Sequence, residues 1–125
     1  MNFDLTLEQL RWRDLAREYA QNHIKPRAEH LDREAIFPYD IMGDLSRLGL
    51  VGVGLPPEYE GSGGDFLSYC LVVEELARAD TGIAITVEAR NAHWAVSCCP
   101  SGAPRRRSTV SFQIWRLEGS YGRLA

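Results

Sequence analysis

An all-α fold of about five helices is predicted for residues 1–91, and three features of the sequence carry that prediction. The stretch from Asp65 to Ala89 is the longest apolar region, and Phe66, Tyr69, Cys70, Val73, Leu76 and Ala77 recur in it at three- and four-residue steps. On a helix those steps make one continuous face. Leu67, Leu71 and Val72 lie off that face, so the helix is apolar around more than half its girth and is expected to be buried between neighbours. Asp80 can cap a second apolar helix over Thr81–Ala89, which puts a junction at 79–82.

The first helix is read from Leu7 to His23. Thr6 and Gln9 have capping-box spacing, and Leu7, Leu10, Leu15, Tyr19 and Ala20 follow at helical intervals. Pro26 is expected to interrupt it, and the polar run from Arg27 to Glu34 is a second helix. Pro38 suits the first turn of a third, with Ile41, Met42, Leu45 and Leu48 as its apolar stripe and Gly49 as a left-handed stop. Leu50 to Leu55 alternates with glycine and fits extended backbone. Residues 56–65, rich in Pro and Gly, read as a structured loop that ends at an Asp65 cap.

A chain of 125 residues, 45% hydrophobic and 25% charged, is one ordinary globular domain in size and composition. Its net charge of −3 is unevenly spread: 16 acids and 9 bases up to position 90, then 1 acid and 5 bases. The acidic part argues against nucleic acid as a partner. No run reaches the ~20 apolar residues of a membrane span, and the amphipathic N-terminus has no apolar signal region, so a cytoplasmic or organelle-matrix location is expected. Three cysteines fit no disulfide framework; Cys70 is expected to be a small buried hydrophobe, and adjacent Cys98 and Cys99 lack metal-binding spacing.

Recognisable chemistry is sparse. His23 and His30 read as helix-surface residues, and no metal site is expected. Glu74 and Glu75 point about 100° apart on a helix, so they are not a facing acid–base pair; they read as two solvent-edge glutamates, the alternative being that one faces a polar cleft. Glu88 either is exposed at a helix end or forms a polar group at the floor of a pocket between helices. The glycines make neither a dinucleotide fingerprint nor a P-loop. Arg105–Arg107 reads as solvated charge.

Several pieces in order resemble the N-terminal helical domain of the acyl-CoA dehydrogenases. These are His23-Ile24-Lys25-Pro26, Leu48-Gly49-Leu50, Pro57-Glu58-Tyr59 with glycines at 61, 63 and 64, and Glu74-Glu75-Leu76-Ala77-Arg78. The resemblance covers residues 3–91, with one departure at Glu60, where the family often has glycine. It implies a parent of three domains, often a homo-oligomer. In that parent a glutamate of the C-terminal domain removes the α-proton of an acyl-CoA and FAD takes the β-hydride. The product is a trans-2-enoyl-CoA, and electrons pass to an electron-transfer flavoprotein. By family position, Ile85, Glu88 and Ala89 line the far end of the acyl pocket; no catalytic, cofactor-binding or metal-binding residue is expected within this chain.

After Asn91-Ala92 the family pattern fails. A one-base shift of reading frame, with codons freely chosen, turns Trp94–Arg107 and Ile114–Gly119 into strings of the family's kind. Residues 92–125 are therefore expected to be a frameshift-derived tail, irregular or disordered, following an N-terminal domain over 1–91. The 125-residue chain alone is expected to be inactive and not to bind FAD. Two other readings compete with the dehydrogenase: a non-enzymatic helical interaction module, and nucleic-acid binding through the arginine triplet, to be betrayed by salt-sensitive binding.

Overall fold

The computed structural model describes residues 3–59 and 61–98, and among these every regular element is helical. Five α-helices follow in order: α1 (Leu7–Tyr19), α2 (Lys25–Arg33), α3 (Tyr39–Arg47), α4 (Phe66–Ala79) and α5 (Thr81–Cys98). α1 starts at the expected capping box: the Thr6 hydroxyl accepts from the Gln9 N–H at 3.2 Å, and the Gln9 side-chain oxygen accepts from the Thr6 N–H at 2.9 Å.

Pro26 does not break the first helix. A π-helical segment, Ala20–Ile24, joins α1 to α2 in one continuous helical rod, and the Lys25 N–H reaches back to the Ala20 carbonyl. Proline lacks an N–H, and its ring crowds the carbonyl four residues earlier. One extra residue in the preceding turn moves that carbonyl aside, so the rod continues where an α-helix would end. α3 buries Ile41, Met42 and Leu45 as expected, while Leu48 is exposed. Gly49 follows with φ +76°.

Leu50–Leu55 is not a strand. Leu50–Gly52 forms a 3₁₀ turn, and the backbone from 52 to 56 pairs with the glycine loop: Ser62 N–H to Gly52 O, Gly64 N–H to Val53 O, Gly63 N–H to Leu55 O. That pairing needs close backbone approach. A Cβ on Gly61 would stand 2.0 Å from the Leu55 carbonyl oxygen, and one on Gly64 would stand 2.7 Å from Val53 Cγ1. Leu50, Val51, Val53 and Leu55 are thereby buried without a sheet.

α4 is capped by Asp65, which accepts from the Ser68 N–H at 2.7 Å. Gln9 Nε2 donates to the other Asp65 oxygen at 2.6 Å, so the starts of α1 and α4 are tied together. Farther along, Arg17 meets Glu75. Partners 9–65 and 17–75 keep a nearly constant offset, so α1 and α4 run parallel. Asp80 alone separates α4 from α5 and caps the latter by accepting from the Ile83 N–H at 3.0 Å. The two helices pack together as an antiparallel hairpin. The core gathers Ala16, Tyr19, Ala20 and Ile24 from the first rod, the α3 stripe, Leu50, Val51 and Val53, Val72 and Leu76, and Ile83, Ala84 and Val87.

The expected inward face of α4 is corrected by this packing. Ser68, Val72, Glu75 and Leu76 are buried; Tyr69, Val73 and Ala77 are partly covered; Phe66 and Cys70 are exposed. α4 turns inward the face that α1 and the 50–64 loop cover, and of its apolar stripe it leaves Phe66 and Cys70 outward. Cys70 is therefore a free exposed thiol, not a buried hydrophobe. The expectation of an irregular chain from residue 92 is corrected for residues 92–98, since α5, read as ending at Ala89, continues to Cys98. Residues 99–125, with Cys99 and the arginine triplet, lie outside the described residues.

Candidate functional site

α5 sorts its residues by the 100° helical step. Ile83, Ala84, Val87 and Asn91 point into the core, and Ile85, Glu88 and Ala89 are exposed together on the outer side. Ile85 is 57% exposed. Asn91, buried, donates from Nδ2 to the Val87 carbonyl at 3.0 Å, which leaves its Oδ1 and the Ser68 hydroxyl as buried polar atoms without a hydrogen-bond partner.

The neighbouring helix extends this outer surface. Phe66, 77% exposed, is tilted by 45° to the Tyr69 ring with centroids 6.0 Å apart, and Leu67 and Cys70 are also exposed on α4. Burial pushes the Tyr69 phenol above its ordinary pKa, and the negative charge of Glu88 pushes it the same way. Glu88 on α5 is thus within electrostatic reach of Tyr69 on α4. The structure brings the three sequence-predicted residues, Ile85, Glu88 and Ala89, to one side of α5, where they are open to solvent, not enclosed by described residues. Of the two readings of Glu88, the described residues alone support exposure, though in the middle of α5 and not at a helix end. The exposed side of α5 thus presents two apolar side chains, Ile85 and Ala89, beside one carboxylate, Glu88.

Between α1 and α4 lies an ion pair that spacing did not reveal. Glu75 is buried, with a side chain 3% exposed, and receives Arg17 in a two-pronged contact: Nη2 to Oε1 at 2.7 Å and Nε to Oε2 at 3.1 Å. Arg78 stands 3.7 Å away. The hydrogen bonds from Arg17 hold the Glu75 carboxyl below the usual glutamate range against the opposing effect of burial. Glu74, by contrast, is exposed and pairs with Arg78 at 2.6 Å, the solvent-edge role expected for both. His23 stacks on Tyr19 with ring centroids 4.7 Å apart, and His30 is exposed on α2. Among the described residues no group of three or more His, Cys, Asp or Glu side chains could hold a metal ion, and no helix is long and apolar enough to cross a membrane.

The pattern of the acyl-CoA dehydrogenase N-terminal domain matches residues 6–102, eleven positions beyond the end of the resemblance read from the sequence. A probable acyl-CoA dehydrogenase of Bacillus subtilis, YngJ, is 46% identical over 79 residues, which are 63% of this chain and 21% of that protein. The chain thus spans about a fifth of the length of that curated relative. Two solved structures share the fold at 32% identity. The butyryl-CoA dehydrogenase of Megasphaera elsdenii superimposes with a TM-score of 0.79, covering 96% of this chain and 32% of that one. A chain from work titled as the electron transferring flavoprotein of Acidaminococcus fermentans reaches 0.81, covering 96% and 31%. The helical order, the capped α4–α5 hairpin and these likenesses together make the chain a member of the acyl-CoA dehydrogenase family, matched to its N-terminal domain.

Proposed function

We propose that this chain is the N-terminal helical domain of an FAD-dependent acyl-CoA dehydrogenase, acting in α,β-dehydrogenation of acyl-CoA thioesters to trans-2-enoyl-CoA. The match to the family's N-terminal domain over residues 6–102 carries the reading. In it, Ile85, Glu88 and Ala89 form the far wall of the acyl pocket, and the outward apolar stripe of α4 packs against further parts of the enzyme. The exposure of Phe66, Leu67 and Ile85 supports this, because large apolar side chains left open to water favour being covered by a partner surface. An acyl chain held there would lose water and be oriented; selection by the wall would be a matter of length, at ~1–3 kcal/mol per methylene.

The described residues do not fit FAD. The glycine loop, their one glycine-rich segment, is closed on its own backbone, with the space beside Gly61 filled by the Leu55 carbonyl. Nor does the reading assign the α-proton base to this chain. Both belong to segments outside it, in keeping with its coverage of about a fifth of the curated relative. Electron-transfer flavoprotein is the proposed electron acceptor, a homo-oligomer the proposed assembly, and the cytosol or, in a eukaryote, the mitochondrial matrix the proposed compartment. A frameshift origin for residues 92–125 remains part of the proposal.

Mixing the chain with a separately expressed acyl-CoA dehydrogenase that lacks its N-terminal domain tests the reading. Restored acyl-CoA-dependent reduction of an artificial electron acceptor is expected. Stable binding with no restored activity would reject the enzymatic role and favour the non-enzymatic helical module.

A further inference from the structure

We draw no further inference here: the strongest candidate, the open groove of about 420 Å³ between the α2–α3 connection and the start of α5, has an apolar floor of Leu31, Phe37, Met42 and Ile83 with Asp32 and Asp80 at its rim, and nothing in the structure shows what covers it.

Discussion

Glu75 and Arg17 depend on each other unequally. Arg17 is half exposed and can turn to water if its partner goes, whereas Glu75 cannot. Glu75→Gln should therefore cost about 1 kcal/mol, the worth of an ordinary hydrogen bond. Arg17→Met should cost more, because it leaves a buried carboxylate without its two-pronged partner and with Arg78 no nearer than 3.7 Å. Urea melts of the two variants check the order. The pH dependence has a definite sign. Glu75 is held below its unfolded value, so its stabilisation is complete above ~4.3 and is lost as pH falls through the lowered folded value. Glu75→Gln should flatten the stability profile in that acid window and, above pH 6, lower it by a constant amount without changing its slope. At the glycine loop, Gly61→Ala should destabilise by about 2 kcal/mol, since the new methyl meets the Leu55 carbonyl and not a mobile side-chain end. A denaturation midpoint equal to that of the parent would contradict the close backbone approach.

At the level of elements, the shared cap of α1 and α4 makes two helix starts cooperate. Thr6, Gln9, Asp65 and the Ser68 N–H form one chain of hydrogen bonds. Thr6→Ala should cost about 1 kcal/mol, as the loss of a helix cap does. Gln9→Glu retains the capping box but sets a second carboxylate against Asp65, which now receives an N–H at 2.6 Å. Its melting temperature should fall at neutral pH and recover in acid, where one carboxyl takes up a proton. Circular dichroism melts at pH 7 and pH 4 distinguish the two outcomes. Each partial motif was legible in the sequence: the Thr6–Gln9 spacing, the Asp65 and Asp80 caps, the Gly49 stop. Their linkage was not, because Gln9 and Asp65 lie 56 positions apart and no local pattern pairs them. The π segment was likewise hidden, since Pro26 reads as a stop wherever packing does not hold the rod together.

For the whole molecule, the outward stripe of α4 and α5 governs behaviour in isolation. Phe66→Ser and Ile85→Ser touch exposed positions and should change stability by no more than about 0.5 kcal/mol while reducing self-association. Light scattering beside a thermal melt separates the two effects. The chain purified and mixed with FAD should return colourless from gel filtration; a retained yellow band would overturn the assignment of the flavin site to other segments. Within a complete dehydrogenase, Ile85→Ala should shift kcat/KM toward longer acyl chains by roughly tenfold, within the discrimination open to one apolar contact. An unchanged chain-length profile would remove Ile85 from the acyl pocket.

The sequence alone determined the helical class, the places where most helices begin and end, and the family, because caps, breakers and a 3.6-residue period are local signals readable within one turn or two. Only the tertiary structure decided which way α4 faces. Its apolar stripe was plain, yet Cys70 and Phe66 face outward and Ser68 and Glu75 inward. Hydrophobicity ranks a helix's faces, but burial follows whichever neighbour arrives, here α1 with an arginine placed to neutralise Glu75.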